Sequence, residues 1–180
     1  MEKATAFVLS VSLTGALLFT GGDACAGVSS MSAVDACKPG NVGAALSKTC
    51  AATLGTSTAA HEVTAYVTAA LDAAWRSYNA TTKAANADME DPSSPRGLRE
   101  VIGVCLYHYD DVVLYAAGVL EYLRTCTSLR EVSFDCATSA GIVDRCAGLV
   151  QTVAPNSTLH AMIVGDRDRT ELAVRLALLM

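Results

Sequence analysis

Between Leu98 and Leu123 the apolar residues form a single stripe: Leu98, Val101, Ile102, Cys105, Tyr109, Val112, Val113, Ala116, Val119, Leu120 and Leu123. Steps of three and four, with a mean period of about 3.5, place them on one face of a helix. A helix with so long a stripe must lay it against other helices at shallow angles, which is bundle packing. Val112 to Val119 is rich in β-branched residues, but a strand there would break a stripe that continues on both sides. Gly97, Gly103 and Gly118 each cost this helix about 1 kcal/mol relative to Ala, so packing has to compensate.

Other stripes repeat the pattern. Val63, Val67, Ala70, Leu71, Ala74, Tyr78 and Ala85 mark a helix capped by Ser57 or Thr58 and ending near Ala87. An acidic, proline-bearing loop follows, and Ser94-Pro95 signals the start of the central helix. Ser128-Leu129-Arg130-Glu131 fits a capping box ahead of Val132, Cys136, Ala140, Val143, Ala147 and Val150. Asp166 or Asp168 caps a last helix with Leu172, Ala173, Leu176 and Leu179 inward. Residues 27–33 are small and polar and read as a loose leader. Residues 34–54 hold two cysteines around the helix-breaking Lys38-Pro39-Gly40 and read as a helical hairpin. The expected fold is all-α: an antiparallel four-helix bundle over 58–180 with an N-terminal α-helical hairpin over 34–54, disulfide-stapled.

The first residues have a different logic. Lys3 precedes the uncharged apolar run Ala4 to Thr20, and Ala24-Cys25-Ala26 supplies a small-x-small cleavage pattern. This is the grammar of a signal peptide over 1–26, removed after Ala26 to leave a domain over 27–180. A membrane anchor is the competing reading, because the run is near the lower limit for spanning a bilayer. Nothing downstream is long and apolar enough to span, so no membrane association is expected after cleavage. Hydrophobic residues at 52% and charged residues at 17% exclude a disordered chain. A net charge of −5 without a basic block lacks the footprint of nucleic-acid binding. Asn79-Ala80-Thr81 and Asn156-Ser157-Thr158 are acceptor sequons for N-glycosylation at Asn79 and Asn156, in keeping with a secreted protein.

Cleavage after Ala26 removes Cys25 and leaves six of the seven cysteines, an even count for an oxidising compartment. Cys37 and Cys50 staple the hairpin. If the central helix and its successor turn back midway between Thr125 and Cys126, Cys105 and Cys146 lie at one level on facing stripes, within disulfide reach. Cys126 and Cys136 stay open. They bridge if the helix after Ser128 starts late; otherwise Cys136 is a buried thiol and Cys126 a free one.

Chemistry-bearing clusters are few. His61, His108 and His160 are scattered, and neither a metal-ligand spacing nor a nucleophile elbow occurs, so no catalytic residue, metal or cofactor is expected. Tyr107, His108 and Asp111 share an outward arc of the central helix while Tyr109 and Val112 face inward. A convex helix face suits contact with a protein better than it suits catalysis.

Several segments carry a resemblance. They are Cys50-Ala-Ala-Thr-Leu, Cys105-Leu-Tyr-His-Tyr-Asp-Asp-Val-Val-Leu-Tyr-Ala-Ala, Ala137-Thr-Ser-Ala-Gly-Ile-Val-Asp-Arg-Cys146 and Gly165-Asp-Arg-Asp-Arg-Thr-Glu-Leu-Ala. In this order and spacing the chain resembles the plant invertase and pectin methylesterase inhibitors. The resemblance implies a hairpin-bearing four-helix bundle with bridges at 37–50 and 105–146. It also implies a protein without chemistry of its own, secreted to the apoplast or cell wall, that occludes the substrate cleft of pectin methylesterase. The Pro-Lys-Phe stretch with which invertase inhibitors hold their target is absent from Leu123 to Glu131, which makes acid invertase the alternative partner. The hairpin departs as well, with a longer Cys37–Cys50 gap and no Tyr-Pro before Cys50. A secreted helical protein binding a small apolar ligand is the reading from a different class. The residues expected to meet the partner are Tyr107, His108, Asp111 and Tyr115 on the central helix, with Thr127 and Arg130 at its turn. Tyrosine supplies contact area at low entropic cost, and His108 beside Asp111 would make affinity depend on pH.

Overall fold

The computed structural model describes residues 25–180. Strand β1 (Ser30–Ser32) leads into three small helices, α1 (Ala33–Ala36), α2 (Pro39–Val42) and α3 (Ser47–Leu54). Strand β2 (Ala60–Glu62) then feeds four long helices, α4 (Val63–Glu90), α5 (Arg96–Thr125), α6 (Leu129–Val153) and α7 (Thr158–Ala177). α5 and α7 each pack against both α4 and α6, which closes an antiparallel ring of four. The all-α, disulfide-stapled bundle expected from the stripes is therefore what forms. α2 packs on α7, and α3 lies across α4 and α7.

On α5 the buried face is Leu98, Ile102, Cys105, Tyr109, Val112, Ala116, Val119 and Leu123, the spine of the stripe. Val101, Val113 and Leu120 flank it, half-buried. Two apolar clusters fill the interior. One gathers Val67, Leu71, Ala116, Val132 and Leu172 with the small helices. The other gathers Tyr78, Ile102, Tyr109, Val143 and Ile163.

The helix ends differ from the sequence expectations. α4 begins at Val63 rather than after Ser57 or Thr58, because residues 60–62 are drawn into an antiparallel pairing with residues 30–32 (Ser30 opposite Glu62, Ser32 opposite Ala60). That pairing also fixes the supposed loose leader. The Tyr66 hydroxyl donates to the Met31 carbonyl at 2.8 Å, the Val63 amide donates to the Ser29 carbonyl at 3.0 Å, and the Ser29 hydroxyl donates to the Leu179 carbonyl at 2.8 Å. No capping box forms at Ser128. The tight α5–α6 turn puts Cys126 (φ 53°) and Ser128 (φ 49°) in the left-handed region, whereas a side-chain cap needs an extended N-cap residue. α7 starts ten residues before Asp168, with Ser157 as its cap: the Ser157 hydroxyl accepts from the His160 amide at 3.1 Å. Asp166 thus caps nothing and lies inside the helix.

Three bridges staple the domain. Cys37–Cys50 closes the hairpin, with Cα atoms 5.4 Å apart, and Cys105–Cys146 joins α5 to α6, with Cα atoms 5.5 Å apart, as level matching expects. The third joins Cys25 to Cys126, with Cα atoms 5.3 Å apart. This corrects one expectation and bears on another. Cys126 and Cys136 are not bridged: α6 already begins at Leu129, which lifts Cys136 about 12 Å along the axis from the turn and buries it as a free thiol. Cys25, which the expected leader ending at Ala26 would carry away, is buried and bridged to Cys126. The rest of the expected signal peptide, residues 1–24, lies outside the described residues.

Candidate functional site

Of the six residues expected to meet a partner, four come together. Tyr107, His108, Asp111 and Tyr115 occupy two turns of the outer face of α5, where spacings of one, three and four give a continuous strip. Tyr107 is 69% exposed, whereas His108, Asp111 and Tyr115 are half-buried. The His108 Nδ1 atom stands 3.9 Å from Asp111 Oδ2, and the Tyr107 and His108 rings meet edge-on at 5.8 Å. Thr127 and Arg130 are exposed but sit at the α5–α6 turn, about 18 Å further along the axis than Tyr115. A single small contact point therefore cannot use all six.

The strip holds two apolar residues that the sequence reading left out. Leu114 is 71% exposed and Val104 is also exposed, so Val104, Tyr107 and Leu114 form an apolar row beside the polar His108 and Asp111. Phe134, one turn beyond Arg130 on α6, is 65% exposed. Their signal in the sequence was available: Val104 and Leu114 fall off the inward stripe of α5, and an apolar residue off its stripe is a surface apolar residue. The acceptor Asn79 is exposed on α4 and Asn156 is exposed in the α6–α7 loop.

Behind this face, inside the bundle, lies a polar cluster that the sequence reading missed. Asp166 is fully buried on α7. Its Oδ2 atom accepts from the Tyr109 hydroxyl of α5 at 2.7 Å, and its Oδ1 atom accepts from the Ser77 hydroxyl of α4. The Thr170 hydroxyl donates to the Asp166 carbonyl at 2.7 Å, so its oxygen is left to accept from the Tyr78 hydroxyl. The Tyr78 and Tyr109 rings pack edge to face at 5.7 Å. Burial pushes the Asp166 carboxyl above the usual carboxylate range, against the opposing pull of its Ser77, Thr81 and Tyr109 neighbours and Arg169. Thr81 stands close enough to favour the charge, yet its hydroxyl is buried without a hydrogen bond of good geometry. Burial likewise raises both tyrosines. The cluster ties three helices together, with Asp166, Thr170, Tyr78 and Tyr109 buried and Ser77 half-buried at its edge.

The hollows on the molecule sort by character. Inside the bundle a space of about 10 Å³ between Thr81, Ile102, Tyr109 and Ile163 has room for one water. Outside, an open groove of about 410 Å³ runs between α6 and α7, where Arg167 reaches Asp168 at 3.0 Å and Asp144 at 3.6 Å. Another, of about 430 Å³, is edged by Lys48, Arg76 and Arg169. No family model matches the chain, and neither a curated protein nor a solved structure matches it.

Proposed function

We propose that this protein is a secreted inhibitor that binds a cell-wall carbohydrate-modifying enzyme, pectin methylesterase, and covers its substrate cleft without reacting. The observation that carries the reading is the exposed row Val104, Tyr107 and Leu114 along a stapled helix, edged by His108, Asp111 and Tyr115. The exposed parts of these side chains add little to the fold, whereas a partner that covers them gains their burial, with Tyr107 the anchor of the kind that dominates interfaces. The ordered resemblance around Cys50, Cys105, Cys146 and Asp166 supports the choice of target, and three disulfides suit an extracellular setting.

Binding of a small apolar ligand is the weaker reading, because the interior space of about 10 Å³ is far below what a lipid chain fills. The deciding assay mixes the purified protein with pectin methylesterases and, separately, with acid invertase at mildly acidic pH. Reduced methanol release is the expected result. Inhibition of invertase alone transfers the reading to the other target, and inhibition of neither enzyme removes it.

A further inference from the structure

We infer that the leader is removed between Ala24 and Cys25, so that the secreted chain begins at Cys25 and its new α-amine forms an ion pair with Glu62. The inference rests on the secretory part of the function proposed above. Gly22 and Ala24 present small residues at the two positions a leader peptidase reads, as Ala24 and Ala26 do for the bond after Ala26. The leader pattern therefore allows either bond, and the folded domain discriminates between them.

Cys25 itself is bound into the domain. Cys25 is 6% exposed and bridged to Cys126. Its backbone nitrogen donates to Glu62 Oε2 at 2.8 Å, while Glu62 Oε1 accepts from the Thr64 hydroxyl. Glu62 is fixed in strand β2 opposite Ser30, so its carboxylate is held at the place where the chain would start. Among the described residues no Lys or Arg forms an ion pair with it. Cleavage after Ala26 would discard this bridge and leave the Cys126 thiol exposed at the tip of the bundle, with Cys136 too far along α6 to take it. Cleavage before Cys25 leaves three bridges and one buried thiol.

The reaction is hydrolysis. Water adds across the Ala24–Cys25 amide, Ala24 departs as a carboxylate, and the Cys25 nitrogen gains protons to become an ammonium group. That nitrogen keeps its hydrogen bond to Glu62, which becomes charge-assisted and stronger.

The test is to express the full chain in a secreting eukaryotic host, recover it from the medium and sequence its N-terminus. In parallel, 2-cyanobenzothiazole, which condenses with the 1,2-aminothiol of an N-terminal cysteine, is applied before and after reduction. The expected result is a first residue of Cys25, no label before reduction while its sulfur is bridged, and one label afterwards. A secreted chain that starts at Gly27, or that takes no label after reduction, overturns the cleavage site and leaves the secretory reading intact. Retention in cells with the leader attached overturns both. Glu62→Gln should lower the titration midpoint of the Cys25 α-amine, followed by NMR, by about one pH unit; an unchanged midpoint refutes the ion pair.

Discussion

Replacing Asp166 by Asn should change how stability depends on pH, and the cluster sets both sign and scale. The carboxyl is fully buried and accepts from Tyr109 and Ser77, on two other helices. Burial raises its pKa in the folded state above that of the unfolded chain. The folded state therefore prefers the neutral acid. The stability this preference contributes is complete below the unfolded value of about 3.9 and is lost as pH rises through the folded pKa. Between the two values each pH unit removes about 1.36 kcal/mol from the wild type relative to a side chain that does not titrate. Asn is such a side chain and nearly isosteric, but its amide nitrogen cannot accept, so the Tyr109 or the Ser77 hydroxyl loses its acceptor. That loss costs about 1–3 kcal/mol. The Asp166→Asn variant should be the less stable protein near pH 4, and the gap should close as pH rises. The assay is urea unfolding followed by far-UV circular dichroism at half-unit steps from pH 4 to pH 8. The readout is the difference between the two proteins, which cancels the exposed carboxylates whose pKa values are lowered, Asp35, Asp91 and Glu121. A gap that stays constant or widens with pH would refute the reasoning.

Other perturbations separate scaffold from surface. The Cys105–Cys146 bridge spans 41 residues of sequence, so replacing both cysteines by Ser should cost about 4 kcal/mol in the chain-entropy model. For a domain of this size that lowers Tm by roughly 10 °C, read by calorimetry. Burial pushes the Cys136 thiol up to about 12, so in the native protein iodoacetamide should label no cysteine. Unfolding without reductant should expose one labelled thiol by mass, whereas two would refute the Cys25–Cys126 pairing. Tyr107→Ala combined with Leu114→Asp should leave stability within about 0.5 kcal/mol, because both side chains are exposed, yet weaken inhibition at least about tenfold. His108→Ala should alter the pH profile of inhibition, and an unchanged profile removes His108 from the contact.

What was legible in the sequence is what repeats locally. The stripes of α4, α5 and α6 locate their helices because burial of one face recurs every turn, and Cys105 with Cys146 follows from simple level matching across one turn. Contacts between distant segments leave no such trace. Cys25 and Cys126 are 101 residues apart, and nothing beside either names the other. The β1–β2 pair is three residues long on each side, too short for alternation to register. Asp166 was misread for a more instructive reason. Leu159, Ile163, Asp166, Thr170, Ala173 and Ala177 form an unbroken inward stripe of α7, and the position of Asp166 on it was visible. The preference of Asp for caps suggested otherwise, because its compensating partners, Ser77 and Tyr109, sit on other helices.

The restraints on α5 bear on how its outer face could bind. Cys105 ties the helix to α6 in its first third, the Tyr109 hydroxyl ties it to α7 one turn later, and Cys126 ties its C-cap to the N-terminal segment beside β1. Val104, Tyr107 and Leu114 project from the opposite side of the same turns. Association costs entropy for each part that must be ordered, and a backbone held at these three points has little left to lose. The buried cluster adds a condition. Tyr109 holds α5 through Asp166, and this bond is stronger to the carboxylate than to the neutral acid that burial favours, so the tie under the exposed row changes with the protonation of Asp166. A pH dependence of affinity on this face therefore has one source in Asp166 inside the bundle and another in the surface residue His108. The two contributions separate by mutation: in Asp166→Asn the remaining pH dependence of binding belongs to His108, and in the double variant with His108→Ala it should vanish. A pH dependence undiminished in that double variant would place its origin on the partner.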